Sequence, residues 1–223
     1  MSAEAVKSAR SRRRLSPRLV GAAAVVVVIA AMALDTTYRD VDAPPITAGG
    51  REAFDPAKFG RDTFAPKLVP ELEKRAVPLV ELLPALADDP DATSEKYGKR
   101  EGTSPYSFAV SGTGVAGKVE SGLMPVRIKD VPKDTRVSVQ VGPAINGTAL
   151  RDASGFISFN QFVNQVDYAD AATALNNEVK ARVLKGVDAE ALEGRRVSFV
   201  GAFTLATPAV VTVTPVKLEE AAG

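Results

Sequence analysis

Six polar side chains in the second half of the chain are the residues best suited to bind a small molecule. They lie in residues 140–152 and in the amide-rich residues 160–165 that follow. The six are Gln140, Thr148, Arg151, Asp152, Asn164 and Gln165. Amides, a hydroxyl, a guanidinium and a carboxylate offer hydrogen bonds in defined directions, which suits a hydroxyl-rich ligand such as a sugar. If these groups converge on a cleft open to solvent, they form a ligand site.

The same side chains also have a structural interpretation. Asn164 and Gln165 could bind loop carbonyls, and Arg151 could pair with Asp152 or Asp167. If the groups are buried and bonded to one another, they pin a loop against a helix. Removing one of them would then leave its partners unsatisfied, at about 1–3 kcal/mol each. Both interpretations are open from the sequence.

Composition removes several kinds of catalysis. The chain has no cysteine and no histidine, so thiol catalysis, disulfides, Cys/His zinc sites and histidine-based triads are excluded. One alternative is a hydrolase that uses carboxylates such as Asp152, Asp167 or Glu178, since exported glycosidases work with two carboxylates. The acidic residues 88–91 lack the glycine and the distal glutamate of a calcium loop, so they predict a helix N-cap at Asp89 and no metal ion.

A glycine-rich motif at residues 112–118, GTGVAGK, fits two phosphate-binding patterns. It reads as the dinucleotide fingerprint and as a P-loop without its serine or threonine. Both patterns need a helix that begins directly after the loop, because its first amides bind the phosphate. The residues that follow, VESGLMP, do not favour such a helix. We therefore predict a glycine-rich bend between strands, and no cofactor.

Basic charge is concentrated at the N-terminus. Residues 1–34 hold six of the 28 basic residues and one of the 27 acidic residues, which leaves 22 basic and 26 acidic residues in the remainder. A mildly acidic body is not expected to bind nucleic acid. The basic cluster precedes an uncharged apolar run at residues 19–34, and basic residues beside such a run stay on the cytoplasmic side.

This asymmetry predicts a single-pass topology. Residues 1–18 form a basic cytoplasmic segment, and residues 19–34 form a transmembrane anchor or, as the alternative, a signal segment. Residues 35–55, rich in Asp, Pro and Gly, form a linker. Residues 56–220 form the domain, which we expect outside the membrane, either periplasmic or at the cell surface.

Hydrophobic periodicity predicts the fold class. Apolar residues recur at helical spacing after Asp55 and again over residues 156–184. They alternate in short runs between residues 106 and 141, and in two further runs over residues 196–205 and 210–216. We predict an α+β domain with a small curled antiparallel sheet or an OB-like barrel flanked by helices, preceded by one N-terminal membrane helix.

The central run, residues 140–152 (QVGPAINGTALRD), closely resembles a family of predicted periplasmic lipoproteins of unknown function, domain of unknown function 2291. The same resemblance includes Phe54, Asp55, Pro56, Phe159, Phe162, Asn164, Gln165, Tyr168, Leu175, Gly201, Ala202 and Phe203. Members of that family are often encoded beside sugar ABC transporters, which implies an envelope protein linked to carbohydrate uptake. The chain departs from the family in having no lipobox cysteine.

Together these features predict a membrane-anchored, non-enzymatic bacterial envelope protein. Its expected partners are the membrane, through the N-terminal helix, and ABC transporter components or a small carbohydrate. Two alternatives remain, an exported carboxylate-dependent hydrolase and a purely structural envelope protein.

Overall fold

The structure, a computed structural model, describes residues 26–28, 30–32, 53–207 and 209–221. The chain divides into two units, residues 1–53 and 54–223. In the first unit, residues 26–28 and 30–32 are helical and exposed. Within the described ranges, no helix is both long and apolar enough to cross a membrane. Most of the segment predicted to anchor the chain lies outside the described residues, as do residues 1–18 and most of the linker, so those assignments stay predictions.

The second unit begins with a run of short helices, and the first and the last of them start where the Asp-Pro pairs at residues 55–56 and 89–90 predict. They are α1 (Pro56–Thr63), a π-helical turn (Phe64–Leu68), α2 (Val69–Arg75), α3 (Leu79–Asp88) and α4 (Pro90–Tyr97). The carboxylate of Asp55 accepts a hydrogen bond from the backbone N–H of Lys58 at 2.9 Å, and that of Asp89 accepts from Ala92 at 3.0 Å. Asp89 is therefore an N-cap, as expected, and its carboxylate stabilises α4.

The sheet has six strands, and five of them close into a barrel, which confirms the OB-like α+β fold. The strands are β1 (Val77–Pro78), β2 (Ser107–Ala116), β3 (Leu123–Arg127), β4 (Arg136–Gln140), β5 (Arg196–Thr204) and β6 (Val210–Glu220). Their order is β1-β2-β3-β4-β6-β5, and β5 also pairs with β2, so β2 to β6 form the closed ring. The barrel is not wholly antiparallel, because closure brings β4 beside β6 in the same direction.

The glycine-rich motif lies within β2, so the prediction of a bend between strands is wrong for residues 112–116. Over residues 107–115 β2 pairs with β5, and at Val115 and Ala116 it also pairs with β3. A Cβ atom at Gly112 would lie 2.5 Å from Cζ of Phe199, and one at Gly114 would overlap the carbonyl oxygen of Arg127. These glycines let neighbouring strands approach closely where the barrel curls.

The connection from β4 to β5 carries α5 (Ala149–Ser154), a 3₁₀ turn (Phe159–Gln161), α6 (Gln165–Glu178) and a π-helical turn (Val179–Val183). The helix predicted over residues 156–184 therefore begins nine residues later than its apolar spacing suggested. Asn164 ends the irregular part, because its side-chain oxygen accepts from the backbone N–H of Asp167 at 2.9 Å and caps α6.

The hydrophobic core has two parts that share the sheet. Inside the barrel, Phe108 and Phe203 stack with ring centroids 5.3 Å apart. On the outside, α2 and α5 pack against β2 and β5, and α1 packs on α6; Leu72, Leu150 and Leu175 are fully buried there. This second core fixes α5 and α6 side by side, and five of the six predicted polar residues lie on these two helices or directly before them, while Gln140 ends β4.

Candidate functional site

Three of the six predicted polar residues meet in one cluster. Arg151 is 8% exposed, and its Nε donates to Oδ1 of Asp152 at 2.8 Å. Thr148 Oγ1 donates to the other carboxylate oxygen of Asp152 at 2.6 Å, one helical turn away. Arg151 Nη1 donates to the backbone carbonyl of Tyr168 at 2.9 Å, and the guanidinium carbon lies 3.5 Å from the centre of the Tyr168 ring. The cluster therefore joins α5 to α6.

One nitrogen of Arg151 stays available. Nη2 has no hydrogen-bond partner among the described residues, although Nε and Nη1 both have one. No buried side-chain nitrogen or oxygen in the described part of the chain lacks a partner. Nη2 is therefore reached by solvent. The rest of the guanidinium is held in place by protein acceptors, so this nitrogen is a fixed donor.

Gln140 lies in a different network. Its Nε2 donates to the carbonyl oxygen of Asn146 at 3.0 Å and to Oγ1 of Thr214 at 2.7 Å. Its Oε1 accepts from the backbone N–H of Asn146 at 2.9 Å. This buried amide holds the loop after β4 against β6. The structure thus places Gln140 in a loop-pinning role, whereas the first cluster pins one helix to another.

Asn164 and Gln165 are exposed at the start of α6. The side-chain oxygen of Asn164 caps α6, and its side-chain nitrogen donates to Oδ2 of Asp167 at 3.2 Å. Gln165 makes no side-chain hydrogen bond within the described ranges, and it lines an open depression together with Arg151. Of the six residues, therefore, Arg151 and Gln165 share one cleft.

We call this depression the Tyr168 cleft. It has a volume of about 520 Å³ and lies between the turn at residues 101–104 and the start of α6. Its lining consists of Glu101, Gly102, Thr103, Ser104, Arg151, Phe159, Gln165, Tyr168 and Ala169. A smaller cavity of about 90 Å³ adjoins it, shares Glu101 and Tyr168, and is also lined by Asp152.

Sequence reasoning missed the turn at residues 101–104 and the two aromatic rings of the cleft. Phe159 and Tyr168 meet edge to face, with centroids 5.6 Å apart. The turn is held at its base, where Lys99 and Ser107 exchange backbone hydrogen bonds of 2.8 and 2.7 Å. No local pattern marks the turn as part of a site, because it lies about 50 residues before α5 in sequence. Tyr168 could have been found, since it lies one helical turn after Asn164.

Burial raises the pKa of the Tyr168 phenol, and the negative charges of Asp152 and Glu101 act in the same direction. The positive charge of Arg151 opposes them. The phenol therefore keeps its proton at any physiological pH and offers the cleft a hydrogen-bond donor. Its oxygen lies 3.5 Å from Oδ1 of Asp152, a long contact that leaves it free to turn to a ligand.

The carboxylates considered for hydrolysis are each engaged by a different partner. Asp152 binds Arg151 and Thr148, Asp167 accepts from Asn164, and Glu178 pairs with Arg182 one turn along. Among the described residues, no group of three or more acidic side chains is placed to hold a metal ion. The arrangement is suited to hydrogen bonding and stacking.

Comparison with known families supports the resemblance seen in the sequence. The family described as predicted periplasmic lipoprotein (DUF2291) matches residues 23–219. The chain belongs to this family. The match covers the barrel, the cleft and the helices of the second unit, and the family's function is unknown. A lipid-bearing cysteine is absent from this DUF2291 sequence, which contains no cysteine.

A search of curated proteins returned no match. Among solved structures, this DUF2291 chain is similar to an OB-fold protein from Thermotoga maritima, whose crystal structure was determined at 1.90 Å resolution. The TM-score is 0.60 and the sequence identity 23%, over 76% of this chain and 100% of the other. At that identity the likeness supports the fold alone.

Proposed function

We propose that this DUF2291 protein is a non-enzymatic envelope protein that binds a small carbohydrate in the Tyr168 cleft and serves a sugar ABC transport system. Residues 19–34 anchor it as a single transmembrane span, and the second unit lies outside the cytoplasmic membrane. The family, predicted to be periplasmic, supports the location. The charge asymmetry around residues 19–34 supports the orientation.

The single observation that carries the binding proposal is the lining of the Tyr168 cleft. Sugars present hydroxyls around the edge of the ring and C–H groups on its faces. The cleft is lined by the aromatic rings of Tyr168 and Phe159, by Arg151, whose Nη2 has no acceptor among the described residues, and by an unengaged amide, Gln165. A few placed polar groups among apolar surfaces are typical of small-molecule sites. The transport role rests on the resemblance, which associates the family with sugar transporters.

The test is a titration of the full chain, purified in an uncharged detergent, with a panel of pentoses and hexoses. Gln165→Ala should weaken the binding of the best sugar about 3- to 10-fold, as expected for one hydrogen bond of about 1 kcal/mol. Because Gln165 is exposed and makes no side-chain hydrogen bond in the described ranges, the variant should melt at the wild-type temperature.

Asn177→Ala is the matched control. Asn177 is an exposed amide on the same helix, twelve positions further on, and does not line the cleft. It should bind sugar as the wild type does. If the wild type binds no pentose or hexose at millimolar concentration, the cleft is not a carbohydrate site. The Arg151 cluster would then be a purely structural element.

A further inference from the structure

A second depression opens on the outer surface of the barrel, where β3 and β4 separate. β3 pairs with β4 from Leu123↔Gln140 to Pro125↔Ser138. Beyond that point β3 pairs with β2 instead, at Val126 and Arg127. The outward side chains of the two strands and the loop between them enclose a groove of about 700 Å³. We call it the β3–β4 groove.

Three cationic side chains line this groove. Arg127, Lys133 and Arg136 are exposed, and none of them forms an ion pair or a side-chain hydrogen bond within the described part of the chain. Glu120 is the acidic side chain in the lining. The groove therefore carries a net positive charge on a body that has more acidic than basic residues.

The two arginines line the same opening from different strands. Pro125 pairs with Ser138, and Arg127 and Arg136 each come two residues beyond that pair, where the strands have separated. Side chains two residues apart lie on the same face of a strand, so both arginines project on the outer face with Pro125 and Ser138. The two positive charges therefore share one groove, and no carboxylate of the described residues pairs with either of them.

We infer that the β3–β4 groove binds a phosphate-bearing organic anion. A phosphate group between Arg127 and Arg136 would remove their repulsion, and a guanidinium binds phosphate through two parallel N–H donors. Part of the groove is apolar, because Leu123, Pro125, Ile128 and Val131 contribute to its lining. This apolar surface would contact the organic part of the ligand, beside the phosphate. This moiety comes either from a soluble phosphate ester or from an anionic lipid headgroup.

The β3–β4 groove shares no lining residue with the Tyr168 cleft. Its ligand is therefore independent of the carbohydrate proposal, and either proposal can fail without the other.

The test measures binding of two probes to the full chain in an uncharged detergent by calorimetry. Inorganic pyrophosphate represents the free anion, and dihexanoyl phosphatidylglycerol, used below its micelle concentration, represents the headgroup. The double variant Arg127→Gln/Arg136→Gln should weaken the binding of the preferred probe at least tenfold. The control Arg61→Gln/Lys180→Gln removes two exposed positive charges outside the groove and should bind as the wild type does.

The tighter of the two probes identifies the source of the ligand. The inference is overturned if neither probe binds the wild type, or if the double variant in the groove binds as tightly as the control. Thermal unfolding of both variants without ligand checks that each is folded. In that measurement, loss of Arg127 and Arg136 should not lower the melting temperature, since it removes a repulsion.

Discussion

The Tyr168 cleft and the β3–β4 groove differ in how the fold treats arginine. Arg151 is almost wholly buried, and the chain itself supplies a carboxylate, a carbonyl and an aromatic face for it. Arg127 and Arg136 are exposed and receive no acceptor from the described chain. In the cleft, therefore, the guanidinium is part of the structure and offers a ligand one fixed nitrogen. In the groove, the acceptors have to come from outside.

The buried arginine therefore contributes to stability, whereas the exposed arginines contribute charge to the surface. Removing the buried arginine should disturb the fold first and any ligand second, because its partners are left unpaired. Removing an exposed arginine should leave the fold intact and change only what the surface attracts. Substitutions in the two regions test that contrast.

Arg151→Ala should produce the largest loss of stability. The Arg151 and Asp152 side chains are 10% and 9% exposed, so the variant leaves a nearly buried carboxylate without its cation. Breaking such a pair costs about 3–5 kcal/mol, which corresponds to a fall in melting temperature of roughly 10 °C for a chain of this size. Circular dichroism during heating measures it.

The control for that variant is Lys58→Ala. Lys58 also forms an ion pair, with Asp62 at 2.6 Å, but both side chains are more than half exposed. The control should melt at the wild-type temperature. Equal melting of Arg151→Ala and the wild type would show that the cluster does not hold α5 against α6, and the contrast between the two regions would be lost.

Gly114→Ala should give the next largest effect, and it acts on the wall of the groove. A Cβ atom there would overlap the carbonyl oxygen of Arg127, a backbone atom of the adjacent strand that cannot move independently. Overpacking of this kind costs about 1–3 kcal/mol. Gly117→Ala is the matched variant, because its nearest contact would be 3.5 Å from the carbonyl oxygen of Pro125.

Gly117→Ala should unfold with the wild-type urea midpoint, whereas Gly114→Ala should unfold earlier. Equal midpoints would mean that the glycine at 114 is not required for close approach of β2 and β3. The glycine-rich motif would then need another explanation than packing.

These glycines show where prediction from sequence ends. The starts of β5 and β6 at Arg196 and Val210 and the Asp55 and Asp89 caps were predictable, because alternation and capping are local signals. The role of Gly114 was not, since its nearest atom belongs to Arg127 on another strand. The parallel pairing of β4 with β6 is equally non-local, joining residues 136–139 to residues 210–213.

The candidate site follows the same rule. Thr148 and Asp152 are one helical turn apart, so their contact could be expected from the sequence. Gln140 bonds Thr214, 74 residues further on, and no local pattern pairs them. The turn at residues 101–104 lies just before β2 and lines the cleft, although it comes about 50 residues before α5 in sequence. Residue type thus identified the polar residues of the candidate site in the sequence. Only the structure shows which residues they contact.

Arg127→Gln should have a small effect on stability. Unlike Arg151→Ala and Gly114→Ala, it should not lower the free energy of unfolding. Substitutions at exposed positions usually change the free energy of unfolding by no more than about 0.5 kcal/mol, and this one removes one of two like charges in the same groove, so the variant should be as stable as the wild type or slightly more so. The gain should shrink as salt is added, because exposed charges are screened. Urea titrations at low and high ionic strength measure it. A clear loss of stability would show that Arg127 has a structural partner, as Arg151 does.

Tyr168→Phe should have the smallest effect on stability, and only at alkaline pH. Because burial raises the pKa of Tyr168, the folded chain keeps the phenol proton at a pH where the unfolded chain has lost it. This contribution to stability is complete below the ordinary tyrosine pKa of about 10 and is lost as the pH rises through the higher pKa of the folded state.

The variant keeps the ring over Arg151 but has no phenol to titrate. The difference in free energy of unfolding between wild type and Tyr168→Phe should therefore be constant up to about pH 9 and shift against the wild type above pH 10. Parallel curves through pH 11 would mean that the cluster does not protect the phenol, and that the cleft is more open to water than its buried arginine indicates.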